Sequence, residues 1–281
     1  MALHPICADL DVRLESFPVP GTTLAALVCE PAGRPRSTVL LVPGYTGSKE
    51  DFRRLLRPLA DAGLRVVALD QRGQFQSPGT QELSAYTTVA LGADLLAVVE
   101  ELGDTPVHLL GHSFGGLVAR TAVLTRPQAF RSLVLMGSGP AGLTGPRVAV
   151  FPLMRPLLEQ GMPALVEAMD AMNAADQRWL TLDASTQAFL RDRMLASSAH
   201  ALLGMADALT GEPDRVDELR ATGVPVLVLH GEADDAWLPA LQAEMAARLG
   251  AEHVVVPDAL HSPAMENADA TAKALLAFYE D

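Results

Sequence analysis

From residue 37 onward, short runs of β-branched residues and leucine alternate with longer segments in which apolar residues recur every three or four positions. The short runs predict buried strands, and the longer segments predict helices that bury one face. The predicted strands span residues 38–42, 64–69, 107–110, 132–136, 224–229 and 253–256. The predicted helices span about 49–62, 86–101, 114–125, 238–249 and 267–279. This alternation predicts an α/β protein with a mostly parallel sheet flanked by helices.

The N-terminal segment has a different pattern. Residues 9–17 and 23–30 are typical of two antiparallel strands joined at Pro20-Gly21, a dipeptide that favours a tight turn. Added to the six strands above, they predict a sheet of eight strands.

One interval between predicted strands is much longer than the others, from about Gly139 to Gly223. Its periodicity is helical, with segments at 163–173, 185–198 and 199–209, and a strand-free insertion of this size is unusual inside a compact sheet. We therefore predict a core formed by residues 1–138 and 223–281 and a helical cap formed by residues 139–222.

Composition narrows the class of protein. The chain of 281 residues is 49% hydrophobic, which is typical of a packed globular protein, and its formal net charge is −13. An acidic surface disfavours binding to nucleic acid or to an anionic membrane, since both require positive charge. Cys7 and Cys29 have no metal-ligand spacing, and the N-terminus lacks the pattern of a secretory signal, so we expect a cytoplasmic protein with reduced thiols.

The hexapeptide GHSFGG at positions 111–116 lies between a predicted strand and a predicted helix. An abrupt strand-to-helix turn forces its apex residue, Ser113, into a strained backbone conformation and crowds its neighbours, which favours Gly111 and Gly115. The turn would expose the Ser113 hydroxyl at a helix N-terminus, where peptide N–H groups stabilise developing negative charge. The pattern predicts a nucleophilic serine.

Three further motifs follow the order of a known family. With GHSFGG, the segments VPGYTGS at 42–48, HGEADD at 230–235 and LHSP at 260–263 resemble the α/β-hydrolase superfamily over nearly the whole chain. The resemblance implies the α/β-hydrolase fold, with the nucleophile elbow at 111–116, the oxyanion loop at 42–48, the acid turn at 230–235 and the histidine loop at 260–263.

A serine hydroxyl needs a base with a pKa near neutrality. Of the seven histidines, His261 alone lies in a polar loop between the last predicted strand and the last helix, where the family's order of serine, acid and histidine places the base. The others lie in or at the ends of strands or outside the motif order, and strand alternation directs His112 away from the apex.

Two neighbouring carboxylates compete for the role of the acid that orients His261. Asp234 stands three residues after Gly231, and Asp235 stands four residues before Pro239. Both spacings are usual in the family. Because the turn here is one residue longer than the common form, each carboxylate satisfies one of the two spacings. Asp234 is favoured, and Asp235 remains the alternative.

By resemblance, the backbone N–H groups of Tyr45 and Phe114 form the oxyanion hole. The chain departs from the family pattern at Pro43-Gly44, where relatives commonly have His-Gly, and at Phe75, where glycine is usual. These departures predict an altered loop beside the site with the chemistry retained.

The resemblance implies a hydrolase that cleaves a carboxylic ester or related acyl bond of a largely apolar small molecule through an acyl-enzyme on Ser113, with no metal or organic cofactor. Six of the ten methionines fall in the predicted cap, where their flexible side chains could line an acyl pocket or serve ordinary packing. The candidate pocket residues are Met169, Met172 and Trp237.

Other activities fit the same framework. A carbon-carbon bond hydrolase or an acyltransferase could use the same three residues, and a ligand receptor could keep the fold without turnover. The motifs supply a complete set of serine, histidine and acid, which favours an enzyme over a receptor.

Overall fold

Residues 2–280 are described by the computed structural model, which for Arg178 describes the backbone alone. Within this range eight strands form one sheet, as predicted. They are β1 (Arg13–Val19), β2 (Thr22–Cys29), β3 (Ser37–Val42), β4 (Leu64–Leu69), β5 (Val107–His112), β6 (Phe130–Met136), β7 (Val226–Gly231) and β8 (Glu252–Val256).

The strand order in space is β1-β2-β4-β3-β5-β6-β7-β8. β1 pairs antiparallel with β2, and β2 pairs antiparallel with β4. All the remaining pairs are parallel. The carboxyl ends of β3 and β5 to β8 therefore meet at one edge of the sheet, which is where open parallel sheets bind ligands.

The helices are α1 (Arg53–Asp61), α2 (Thr88–Leu102), α3 (Phe114–Thr125), α4 (Phe151–Gln160), α5 (Met162–Asn173), α6 (Gln177–Leu180), α7 (Ala184–Ala196), α8 (Ala199–Gly211), α9 (Val216–Ala221), α10 (Pro239–Leu249), α11 (Pro263–Glu266) and α12 (Ala268–Glu280). Among the described residues, no helix is both long enough and apolar enough to cross a bilayer.

Alternate residues of the central strands supply two cores. On β3, Leu40 and Val42 join the apolar cluster beneath α2, α3 and α10. Val39 and Leu41 join the cluster beneath α1 and α12 on the opposite face. Because both faces are covered, the parallel strands are apolar at consecutive positions, which is the signal that made them recognisable in the sequence.

Helices α4 to α9 all lie between β6 and β7, where the long helical interval was predicted. Some of them form a third apolar cluster that includes Leu158, Leu165 and Leu202. The division into a core and a cap of residues 139–222 stays a prediction, although the helical content of this interval is as expected.

Helix α4 was not predicted. Pro152 lies in its first turn and Pro156 in its interior. Proline in the first turn removes no helical hydrogen bond, but proline in the interior usually breaks a helix, so the segment gave no clear helical signal. The short helices α6 and α9 were also missed, because four to six residues carry too little periodicity.

Candidate active site

Ser113 occupies the sharp turn between β5 and α3, with φ 55° and ψ −122°. A positive φ is uncommon for a residue with a Cβ and is retained only where the surroundings impose it. The Ser113 N–H donates to the Met136 carbonyl at 2.8 Å, which fixes the turn against the neighbouring strand. The predicted elbow is therefore present, with its strain at the serine.

The glycines on either side of Ser113 are required by contact. A Cβ on Gly111 would lie 2.6 Å from the Cα of Gly116, and a Cβ on Gly115 would lie 2.6 Å from the Val42 carbonyl oxygen. Real side chains do not tolerate such distances, and the obstructing atoms are backbone. The glycine spacing in GHSFGG follows directly from this crowding.

Three side chains from distant parts of the chain meet in one hydrogen-bonded line. The Ser113 Oγ lies 2.9 Å from the Nε2 of His261, and the Nδ1 of His261 lies 3.0 Å from the Oδ1 of Asp234. The three residues lie in loops at the carboxyl ends of β5, β7 and β8. The sheet topology thus brings the predicted nucleophile, base and acid together.

The Asp234 side chain is nearly fully buried, and three groups contact its carboxylate. It accepts from the Ala236 N–H at 2.9 Å and from the Gln242 Nε2 at 2.9 Å, besides its contact with His261. Burial by itself would raise the pKa of this carboxyl, but the hydrogen bond and charge of His261, with the other two donors, outweigh burial and lower the pKa. The side chain is therefore a carboxylate at neutral pH.

The alternative acid, Asp235, faces away from His261. Its carboxylate pairs with Arg147, and both side chains are substantially exposed. Of the two candidates that the sequence left open, the structure brings Asp234 to the imidazole and Asp235 to the surface.

The residues predicted to form the oxyanion hole lie next to Ser113. Phe114 is the first residue of α3, so its N–H belongs to the first turn, which has no acceptor within the helix. Tyr45 lies in the loop after β3, and a Cβ placed on the adjacent Gly44 would be 3.5 Å from the Ser113 Oγ. Both amides are therefore close to the serine hydroxyl.

Two buried glutamines, which were not predicted as functional residues, hold the loop containing Tyr45. The Gln71 Nε2 donates to the Pro43 carbonyl at 2.9 Å, and the Gln74 Nε2 donates to the Gly44 carbonyl at 2.6 Å. In a trans peptide the N–H points opposite to the preceding carbonyl, so the contact at Gly44 also orients the Tyr45 N–H. Glutamine in a loop does not by itself indicate a buried contact, so the sequence DQRGQFQS gave no signal for this role.

Phe75, in the same loop, keeps the backbone conformation that glycine adopts easily, with φ 38°. Its ring packs edge-to-face on Phe189, at 5.8 Å between centroids, and beneath the ammonium of Lys49, 4.6 Å from the centroid. The ring contact therefore ties this loop to α7, which carries Phe189. The backbone N–H of Phe75, a group that glycine would also have, donates to the Ser197 Oγ at 3.2 Å.

A cavity of about 730 Å³ lies above Ser113 and His261 and beneath the helices inserted after β6. Apolar side chains of α4 and α5 form much of its wall, including Phe151, Met154, Leu157, Leu165, Met169 and Met172. The cavity size is within the range of small-molecule sites.

Met169 and Met172 line this cavity, whereas Trp237 is absent from its described lining. The Trp237 side chain is buried against Gly139, and its Nε1 donates to the Ala141 carbonyl at 3.2 Å. Because the Trp237 ring packs against Gly139 and its N–H is bound to Ala141, this side chain does not face the cavity.

Four charged side chains are among the described lining residues, and each has a partner. Arg193 pairs with Asp51 at 2.6 Å, and Arg147 pairs with Asp235. The fourth, Glu266, accepts two backbone N–H groups. The charges of the cavity wall are thus satisfied by the protein itself.

The prediction that His112 points away from the apex was wrong. Its imidazole lines the cavity, and its Nε2 lies 2.8 Å from the carbonyl oxygen of His261. Strand alternation fails here because His112 is the last residue of β5, and the backbone reverses direction at Ser113.

Comparisons with known proteins agree with the fold. A family model described as the α/β hydrolase fold matches residues 37–213, more than half of the chain. A 2-hydroxy-6-oxononadienedioate/2-hydroxy-6-oxononatrienedioate hydrolase from Cupriavidus pinatubonensis is 32% identical over 232 residues, which cover 78% of this chain and 78% of that protein.

Other relatives are more distant. An epoxide hydrolase from Caballeronia sordidicola is 24% identical over 180 residues, so the match covers 64% of this chain but only about half, 49%, of that protein. The crystal structure of the enol-lactonase from Burkholderia xenovorans LB400 matches with a TM-score of 0.79 and 23% identity, covering 95% of this chain and 100% of that one.

Proposed function

Since this chain belongs to the α/β-hydrolase fold family, we propose that it is a serine hydrolase that cleaves carboxylic esters, or related thioesters and lactones, of uncharged and largely apolar small molecules. The observation that carries the proposal is the continuous line from the Ser113 hydroxyl through His261 to Asp234, with contacts of 2.9 and 3.0 Å.

In the proposed reaction the Ser113 Oγ attacks the substrate carbonyl carbon while its proton passes to the Nε2 of His261. The negative charge of Asp234 stabilises the resulting imidazolium, and its contact with Nδ1 keeps the reactive nitrogen turned toward serine. The imidazolium then protonates the leaving group, and a water molecule activated by His261 cleaves the acyl-enzyme and restores Ser113.

The negative charge that develops on the carbonyl oxygen would rest on the N–H groups of Tyr45 and Phe114. The first turn of α3 favours negative charge at Phe114, and the glutamine contacts orient the loop that carries Tyr45. The amides are fixed before the substrate arrives, so the developing charge would be stabilised without rearrangement of the protein.

The proposed substrate class follows from the cavity wall. Burying a charged group without a partner is costly, and the arginines that line the cavity are already paired with Asp51 and Asp235. The remaining wall is dominated by flexible apolar side chains such as Met154 and Met169. An uncharged apolar acyl group therefore fits better than a charged one.

Carbon-carbon bond hydrolysis or acyl transfer on the same residues is the second candidate activity. The Cupriavidus pinatubonensis relative supports this candidate, because it is a hydrolase of dicarboxylates that carry an oxo group. A dicarboxylate, however, would have to displace a pairing such as Arg193–Asp51 to find a partner in the cavity. Ester hydrolysis with a neutral acyl group requires no such rearrangement.

A kinetic panel tests the proposal. We expect kcat/KM for neutral aryl esters to rise about fourfold per added methylene while the acyl chain still has apolar wall to cover, since each buried methylene contributes about 0.8 kcal/mol. Esters with a terminal carboxylate of matched length should react at least tenfold more slowly. Thioesters and lactones complete the panel. Faster turnover of the charged series would contradict the proposed substrate class, and no turnover of any ester would contradict the activity.

A further inference from the structure

Two side chains make three hydrogen bonds to the backbone of residues 260–262, and none of the three involves the imidazole of His261. The Oε2 of Glu266 accepts the N–H of Leu260 at 2.8 Å and the N–H of Ser262 at 2.9 Å. The third contact is the 2.8 Å approach of the His112 Nε2 to the His261 carbonyl. The N–H groups of the residues before and after His261, and the carbonyl of His261 itself, are thus fixed by two side chains.

Burial determines the charge of the His112 ring, and this contact determines its tautomer. Burial, assisted by the nearby charge of His261, lowers the pKa of His112 to about 4, so the ring is neutral at pH 7. A carbonyl oxygen can only accept, so the single ring proton must be on Nε2. His112 therefore donates to the histidine loop without placing a second positive charge beside His261, whose ring centroid is 5.0 Å away.

We infer that His112 and Glu266 are positioning residues that hold the backbone of residues 260–262 so that the imidazole of His261 bridges Ser113 and Asp234. This inference rests on the proposed function. The need for positioning follows from the location of His261 in a loop before α11, a helix of a single turn. A shift of about 1 Å at a reacting group can cost roughly 100-fold in rate.

The first test replaces His112. His112→Leu removes the donor, and His112→Gln retains an amide N–H at about the position of Nε2. We expect His112→Leu to lower kcat roughly 10- to 100-fold with KM changed less than about twofold, and His112→Gln to recover most of kcat.

His108 provides a matched control on the same strand. It is buried like His112, and its Nδ1 contacts the Ser132 Oγ at 2.8 Å, away from the histidine loop. His108→Leu should lower the thermal midpoint while leaving kcat unchanged. Equal kcat losses in His108→Leu and His112→Leu would overturn the inference for His112, as would a change confined to KM, which would instead indicate a contact with substrate.

Glu266 gives an independent test. Glu266→Gln keeps an oxygen that can accept both N–H groups, whereas Glu266→Ala leaves them without an acceptor. We expect kcat to fall in the order wild type, Glu266→Gln, Glu266→Ala, and the double variant with His112→Leu to lose less than the product of the single effects, because both act on one loop. Full kcat in Glu266→Ala would overturn the role of Glu266.

Failure of this inference is distinguishable from failure of the proposed function. If Ser113→Ala abolishes turnover but His112→Leu and Glu266→Ala retain full kcat, the positioning role is wrong and the hydrolase proposal stands. If Ser113→Ala keeps wild-type turnover, the proposed function itself is wrong.

Discussion

Ser113→Ala is expected to lower kcat by roughly four to six orders of magnitude while the protein remains folded. The substitution removes the only oxygen in contact with the Nε2 of His261 among the described residues, and with it the acyl-enzyme. The remaining rate would come from binding and from the amides of the oxyanion hole. The measurement is turnover of a neutral ester together with thermal unfolding.

Ser138→Ala is the matched control for this variant. Ser138 is fully buried and lies close to Gly116 in the same part of the structure, but it has no place in the proposed hydrogen-bonded line. It should retain a rate within a few fold of wild type. A folded Ser113→Ala protein with a near-normal rate would contradict the assignment of the nucleophile.

Asp234→Asn should lower kcat by about 10³- to 10⁴-fold. Asparagine keeps the size of the side chain but removes the negative charge that stabilises the imidazolium and fixes the reactive tautomer. Because Asp234 is buried and also accepts from Ala236 and Gln242, some loss of thermal stability should accompany the loss of rate. Parallel kinetics and unfolding measurements separate the two effects.

Asp235→Asn is the control for the acid. It breaks an exposed ion pair with Arg147, and pairs of this kind contribute at most about 1 kcal/mol. Its kcat should therefore remain within about threefold of wild type. A greater loss of rate in Asp235→Asn than in Asp234→Asn would mean that the wrong carboxylate has been assigned.

The sheet and the elbow were predictable because their signals are local. Buried parallel strands are apolar at consecutive positions, and the turn at Ser113 admits only glycine at positions 111 and 115. Each of these two features depends on residues close together in the chain. The assignment of His261 instead used the order of four motifs along the chain, which the family resemblance supplied.

The choice between Asp234 and Asp235 depended on residues far apart in the chain. Asp234 has the family's spacing from the start of the turn and Asp235 has the spacing from its end, so only the contacts made after folding distinguish them. Gln242 on α10 reaches back to Asp234, while Arg147 draws Asp235 outward. Neither partner is adjacent in sequence, so no spacing rule could identify the acid.

The roles of His112, Gln71 and Gln74 were hidden for a related reason. Strand alternation gave the wrong direction for the His112 side chain because the chain turns sharply at the next residue. The glutamines contact a loop that lies 28 to 30 positions earlier in the chain. All three side chains contact backbone carbonyl groups. Every residue has such a group, so no sequence pattern indicates which carbonyl is bound, and these contacts could be identified only from the structure.

Labelling with a fluorophosphonate followed by peptide mass mapping tests the central claim most directly. The serine oxygen forms a bond to phosphorus, fluoride leaves, and His261 takes the hydroxyl proton. We predict one adduct, on the peptide containing Ser113, that disappears in Ser113→Ala and forms far more slowly in His261→Ala. Folded wild-type protein that stays unlabelled, or that carries its adduct on a different serine, would contradict the account.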